Sequence, residues 1–326
     1  MSEFRALTSQ DISEMVTNEE IVSAVKQAYL QKAMKQGQDF PLIFHEFIPD
    51  EADMDIKSGV LNDPNCFGLK VVSVHSDNNS KNLPTLMSTT MVFNSITGEL
   101  LGILDFKNLT GLRTAAAATI GAQLLARANS KTLLVVGCGY LAPFIIEMMN
   151  EVFQDLEEII IYDPININQA FKLKETLYHI EKIIVAENLK EACLRSDIII
   201  SATPSRKQLI MKDFINPGTH LSCLGSDMSG KQELDVNLLS EAKIYVDDIN
   251  QACTVGECEI AFKNKLISKE SLNEIGSVLL NPVKGRENND EITIFDASGI
   301  SLQDIMIAYS LIEKANKNNI GQKITF

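Results

Sequence analysis

No stretch of this sequence stays apolar for the roughly 20 residues that a membrane-spanning helix needs; its apolar runs, such as those around 132–136 and 198–200, are only a few residues long. Positive charge is also scarce. Lys and Arg total 29 against 43 Asp and Glu, a formal net charge of -14, so nucleic-acid phosphate and anionic membrane surfaces are repelled on average. The six cysteines (66, 138, 193, 223, 253 and 258) form no CxxC pair and have no His partner at metal spacing. They read as reduced, mostly core thiols. His45, His75, His179 and His220 show no mutual metal spacing either. The N-terminus runs from Met1-Ser2-Glu3-Phe4-Arg5 into Thr8-Ser9-Gln10-Asp11, without the basic and then apolar regions of a secretory signal, and the cytoplasm is the expected compartment.

What is present suits a folded enzyme-sized chain. Its 326 residues make two domains the starting expectation. From residue 133 short apolar runs alternate with helical stretches, the rhythm of a parallel sheet wrapped by helices. Six strands are expected there, at 133–136, 159–162, 183–185, 198–201, 220–224 and 244–246, giving an α/β, doubly wound nucleotide-binding domain. Earlier, Thr17-Asn18-Glu19-Glu20 has capping-box spacing and opens an amphipathic helix that Gly37 should stop. Strands at 42–48, 68–75, 84–93 and 100–104 follow, with a turn at 94–98, and suggest an antiparallel meander packed on that helix. Residues 113–128 predict an alanine-rich helix into the nucleotide domain. A helix over 302–315 should return to the first. The expected division is therefore 1–122 with 301–326, an α+β domain, and 123–300, the dinucleotide-binding domain.

After the strand at 133–136 comes Gly137-Cys138-Gly139-Tyr140-Leu141-Ala142, a GxGxxA turn entering a helix. In such a turn the first glycine permits the bend, the second lets a pyrophosphate approach the backbone, and Ala142 allows close helix packing. Pro143 falls in the first helical turn, where its missing N–H costs nothing. The next strand ends at Asp163, where an acid can accept bonds from the ribose hydroxyls. No Lys or Arg follows until Lys172, and a carboxylate repels a 2′-phosphate, so NAD(H) is favoured over NADP(H). The plainer readings are a tight turn without a ligand and a solvated acid at a strand end.

Five segments together resemble the ornithine cyclodeaminase and mu-crystallin family: Gly68-Leu69-Lys70, Leu109 to Ala116, the glycine turn, Gly225-Ser226-Asp227-Met228-Ser229-Gly230-Lys231-Gln232-Glu233-Leu234-Asp235, and Phe295 to Asp304. The resemblance implies a homodimer with active sites in an interdomain cleft, a nicotinamide cofactor, and an amino acid or cyclic imino acid as substrate. It implies that Lys70 and Arg113 bind the substrate carboxylate, with Thr85 as a further substrate contact and Lys70 also assisting proton transfer. Asp227 matches the family's acid/base. Thr114, with its hydroxyl and backbone N–H, would hold the pyrophosphate beside Tyr140 and Leu141. Ala202, Thr203, Pro204, Lys231 and Ser298 would line the nicotinamide side, with Gly299 next to Ser298. Without the resemblance, Lys70 reads as a strand-surface lysine and Asp227 as a turn cap. Arg113 is expected at a helix start, where the dipole disfavours a cation and an anionic partner is needed.

The implied activity is ornithine cyclodeaminase-like: hydride loss from an amino-bearing carbon, then attack on the resulting imine. The alternatives are an alanine dehydrogenase or cyclic imine reductase, and a non-catalytic nucleotide carrier. One departure stands out. Family enzymes carry a second carboxylate-binding Arg shortly after a Pro, whereas this chain reads Phe40-Pro41-Leu42-Ile43-Phe44-His45 and has no arginine between Arg5 and Arg113. Lys70 and Arg113 must then suffice, or His45 helps, or the substrate differs.

Overall fold

Two capping boxes open the chain. In one, Thr8 and Asp11 exchange bonds at the start of α1 (Ser9–Met15). In the other, Thr17 and Glu20 do the same for α2 (Asn18–Ala33). Each pair satisfies backbone N–H groups that a helix start leaves open. The expected helix after Thr17 is present, but Gly37 does not stop it. Met34 caps α2, Lys35 takes a positive φ of 58°, and Gly37 already belongs to a strand.

The computed structural model describes residues 3–49 and 51–325, and the chain divides into two units, Met1–Arg113 with Ile300–Phe326, and Thr114–Gly299. The first unit holds β1 (Glu3–Leu7), β2 (Gly37–Asp39), β3 (Ile43–Ile48), β4 (Ala52–Leu61), β5 (Cys66–His75), β6 (Leu86–Asn94) and β7 (Leu100–Asp105). With a C-terminal strand, Gln322–Thr325, they form one sheet in the order C-terminal strand, β1, β7, β6, β5, β4, β2, with β3 also paired to β4. The β4–β7 part is the expected antiparallel meander. β1 instead runs parallel to β7. β4 was not foreseen, although Ala52-Asp53-Met54-Asp55-Ile56-Lys57 alternates apolar and polar residues as a half-buried strand does.

Cross-strand neighbours share a face of a sheet. One face carries Lys57, Lys70, Thr90 and Leu104, aligned across β4, β5, β6 and β7. The C-terminal helix Ser301–Asn318 packs on this face. It lies close because of small residues: a Cβ on Gly102 would stand 2.7 Å from the Ile312 side chain. The opposite face keeps Ile43 and Phe47 more than half exposed and Met87 at 41%.

In the second unit all eight strands are parallel. They are β8 (Thr132–Val136), β9 (Glu158–Tyr162), β10 (Ile183–Val185), β11 (Ile198–Ser201), β12 (His220–Cys223), β13 (Lys243–Val246), β14 (Leu272–Glu274) and β15 (Thr293–Asp296). Their order is β10-β9-β8-β11-β12-β15-β13-β14. Leu133–Val136 and Ile198–Ile200 are wholly buried, as strands covered on both faces must be. Six strands were expected and eight are present. β14 and β15 are short and lack a preceding long helix, and β15 inserts between β12 and β13.

α3 spans Lys107–Leu125, six residues earlier at its start than the expected 113. Arg113 is therefore nearly two turns inside the helix, not at its positive end, and the dipole argument for an anion there lapses. Thr114 is likewise internal, so its N–H is committed to a carbonyl four residues back and cannot serve a pyrophosphate.

Candidate active site

The order of strands β8, β11, β12 and β15 places the loops that follow them side by side along the carboxyl edge of the sheet. Those loops are the glycine turn, Ala202–Pro204, the Asp227 loop and Ser298–Gly299. Strand order reverses between β8 and β11, where doubly wound sheets bind ligands. Gly137 has a φ of 98°, and a Cβ there would stand 2.7 Å from Ala202 O and 2.9 Å from the Thr203 methyl. Only glycine fits. Gly139 is the reverse case, with nothing within 4 Å of its Cβ position, so its backbone is open to a ligand. Ala142, fully buried, starts α4 (Ala142–Val152) with Pro143 in the first turn. Tyr140 is exposed and packs its ring edge-on to Phe144, and Leu141 occupies the cap position. The open glycine facing a helix N-terminus fits a phosphate group.

Asp163 does more than face a ribose. Its Oδ2 accepts the Cys138 N–H at 3.0 Å, and its Oδ1 accepts those of Ile165 at 3.0 Å and Asn166 at 2.9 Å. It ties the glycine turn to its own strand end, a role beyond the ribose contact expected of it. Thr203 is buried, and both its N–H and its hydroxyl donate to Glu233 Oε1 at 2.8 Å, so the side chain serves an internal network. Pro204 is exposed and Ala202 half-buried. Ser298 accepts from Gln251 Nε2 at 2.9 Å, and the Gly299 N–H donates to Asp247 at 2.6 Å. Asp227 is half exposed, and its Oδ1 lies 2.5 Å from Lys231 Nζ.

A second cluster lies within the first unit. Lys70 is fully buried on β5, with Nζ 2.8 Å from Asp304 Oδ2 on the C-terminal helix and 5.8 Å from the centre of the Phe106 ring. Asp304 Oδ1 is 3.5 Å from Arg113 Nε. Arg113 Nη1 also donates to Gln303 Oε1 at 3.4 Å, and Gln303 Nε2 donates to the Tyr29 hydroxyl at 2.6 Å. Burial pushes Lys70 down to about 8, against the pull of Asp304, and the Arg113 and Lys57 charges add to the push. Several buried polar atoms here have no hydrogen-bond partner among the described residues: Asp55 Oδ1, Ser88 Oγ and Thr90 Oγ1. Asp55, Ser88 and Thr90 share the face of Lys70. Orphaned donors and acceptors beside buried charge are what a polar ligand satisfies.

Sequence reasoning missed Asp304, Asp55 and Lys57. Asp304 stood in a matching segment without a role. Lys57 stands directly opposite Lys70, which supplies a third cation where the second arginine was missed. Ile43 and His45 do not help, because their register with Ile56 and Met54 places them on the opposite face. Thr85 is not brought to Lys70 either. Lys70 pairs with Thr90, and Thr85 precedes β6, five positions and roughly 16 Å along the strand direction from Thr90.

All six cysteines are buried, and burial pushes Cys66, Cys138 and Cys193 up to about 12. His220 is buried between the Thr293 and Ser222 hydroxyls. Among the described residues no group of three or more His, Cys, Asp and Glu could hold a metal, and no helix is long and apolar enough to cross a membrane.

A family model described as ornithine cyclodeaminase/mu-crystallin matches residues 4–319. The chain belongs to that family. It is 35% identical to an alanine dehydrogenase of Archaeoglobus fulgidus over 322 residues, 98% of each protein. It also resembles a solved archaeal alanine dehydrogenase dimer with bound NAD, at 35% identity and a TM-score of 0.92 over 99% of both chains. The iminosuccinate reductase of Paracoccus denitrificans, solved with NAD+, matches with a TM-score of 0.93 and 27% identity, covering 99% of this chain and 100% of that one.

Proposed function

We propose that this protein is an NAD(H)-dependent enzyme that interconverts a small amino acid and its imine or 2-oxo acid, and that it works as a homodimer. The observation that carries this reading is the buried set Lys70, Asp304 and Arg113, with unpartnered polar atoms around it. Lys57, Lys70 and Arg113 attract a carboxylate. Asp55 Oδ1 is an acceptor suited to an ammonium, so one face offers both halves of an amino acid a partner. The names of the relatives, a dehydrogenase and a reductase acting on such compounds, support the same chemistry.

Gly137, Gly139, Tyr140, Leu141 and the start of α4 would hold the cofactor pyrophosphate, Asp163 the adenosine ribose, and Ala202, Pro204, Lys231 and Ser298 the nicotinamide side. When bound, NAD(H) takes or returns a hydride at the nitrogen-bearing carbon. The chain's own residues do the rest. Lys70 and Arg113 orient the carboxylate, and Asp304 fixes both cations. Asp227 accepts a proton from the substrate ammonium at Oδ2, because Oδ1 is engaged by Lys231. An amine cannot lose a hydride from its carbon, or attack an imine, until that proton has gone.

Ornithine cyclodeamination is the second reading. Asp227 favours it, as a base for the attacking side-chain amine. A non-catalytic carrier has no need of Lys70, Arg113 and Asp227 together. The test is a panel of 2-oxo acids with ammonium and NADH, beside ornithine with NAD. Stoichiometric NADH oxidation with a 2-oxo acid is expected. Proline and ammonia released without net NADH change would favour cyclodeamination, and no turnover in either arm would reject an enzyme of this class.

A further inference from the structure

The loop that carries Asp227 has no regular structure between β12 and Leu234, yet six residues from Ser226 to Leu234 are tied to two acids, one just before a short helix and one within its first turn. Glu257 precedes the helix Cys258–Lys263 and Glu259 lies within it; both are fully buried. Glu259 Oε1 accepts from Ser229 Oγ at 2.5 Å and its Oε2 from the Gly230 N–H at 2.8 Å. Gly230 is in the left-handed region at φ 80°. Glu257 Oε1 accepts from the Ser226 hydroxyl and from the Glu233 N–H at 2.8 Å. Its Oε2 accepts from Gln232 Nε2 at 2.5 Å and the Leu234 N–H at 2.9 Å. The residue just before Asp227 and the two residues that close its turn are thus all bonded to these acids.

We propose that Glu259, backed by Glu257, is a positioning residue that sets where the Asp227 carboxylate stands for proton transfer. This rests on the reading of Asp227 as the proton-transfer group. Burying carboxylates is costly, a cost that Lys263 offsets at Glu259 by pairing with its Oε1 and that no cation among the described residues offsets at Glu257, and ordinary turn bonds would hold a surface loop. Charge-assisted bonds from Glu259 at Ser229 and Gly230, together with the Ser226 bond to Glu257, instead restrict the path of the chain on both sides of Asp227. That restriction matters for a group that must meet a proton at hydrogen-bond distance, since a misplacement of about 1 Å can cost about 10²-fold in rate.

The test compares Glu259→Gln, Ser229→Ala, Asp227→Asn and the pair Glu259→Gln/Asp227→Asn, using the substrate from the panel above that turns over fastest. A Gln at 259 has no charge and one acceptor oxygen in place of two, so both bonds lose their charge assistance and the Ser229 hydroxyl must accept from the amide NH2 instead of donating. Its kcat should fall by about tenfold or more, with KM and NADH affinity changed by less than about twofold. Ser229→Ala, which alters no charge, should give a smaller loss of the same kind and keeps the test open if Glu259→Gln does not fold. The paired variant should be no slower than Asp227→Asn alone, because placement ceases to matter once the acceptor is gone. Wild-type kcat in a folded Glu259→Gln or Ser229→Ala protein, or losses that multiply fully in the pair, would overturn the proposal. Wild-type kcat in Asp227→Asn would instead reject the role of Asp227 itself, and this inference with it.

Discussion

Lys70 and Asp304 meet at 2.8 Å with each side chain only 1% exposed, and Arg113 shares the same carboxylate. One acid therefore holds two cations out of water, an arrangement that suits a second anion better than it suits the cluster alone.

The pH dependence of substrate binding follows from that arrangement. Lys70 is lowered to about 8 by burial, with Asp304 the group that holds its proton on. Lys70 attracts a carboxylate below that pH and loses its charge above it, so KM for a 2-oxo acid should rise as pH increases through about 8. Asp304→Asn removes the holding charge. In that variant the rise should begin at lower pH, and KM at pH 7 should be greater by on the order of tenfold, about 1.4 kcal/mol. Initial rates across pH 6 to 10 check both; an unchanged profile in Asp304→Asn would rule out the assigned role.

Asp227→Asn keeps the shape of the side chain and cannot take a proton. Turnover should fall about 10²-fold to 10⁴-fold, the usual range for a lost general acid/base, while NADH affinity and thermal stability stay close to wild type. Near-normal turnover would make Asp227 a turn residue only.

NADH should bind at least about tenfold more tightly than NADPH, because Asp163 would face the 2′-phosphate with a like charge. Asp163→Ser should narrow that preference. It should also weaken NADH itself, since the carboxylate bonds the Cys138, Ile165 and Asn166 N–H groups, and one charge-assisted bond is worth about 1.5–3 kcal/mol. Calorimetric titration of both cofactors separates the two effects. Equal affinities in the wild-type protein would sink the assignment.

The sheet face that carries Ile43, Phe47 and Met87 leaves large apolar side chains in water, and the C-terminal helix covers the opposite face. Pairing with a second copy across a two-fold axis would bury them. Light scattering should give twice the chain mass at micromolar concentration. Phe47→Asp should shift the protein toward monomer, and a monomeric wild type would reject the pairing.

The glycine turn and most strands of the second unit were legible in the amino-acid sequence because their causes are local. A four- or five-residue apolar run, Gly137 at a bend and Pro143 in a first helical turn each act within a few residues. The capping box at Thr17 and Glu20 is local too. The similar box at Thr8 and Asp11 was equally readable and was passed over. β4 carried its signal in plain alternation. Short β14 and β15 carried little, since three or four residues hold too few periods to tell a strand from a loop.

The partners of the charged residues were decided only by the tertiary structure. Periodicity says which face of an element is buried and not which side chain covers it, so nothing in the sequence joined Lys70 on a strand to Asp304 on a helix most of the chain away. The start of α3 lies in the same class. An alanine-rich run predicts a helix but not where it begins, and six residues moved Arg113 from a helix end to a helix interior. The sequence alone determined the turn that fits a dinucleotide and the residue types at the site. Packing of the C-terminal helix on the first sheet decided which of those charges meet, because a buried ion pair forms only where the fold closes two distant segments over it.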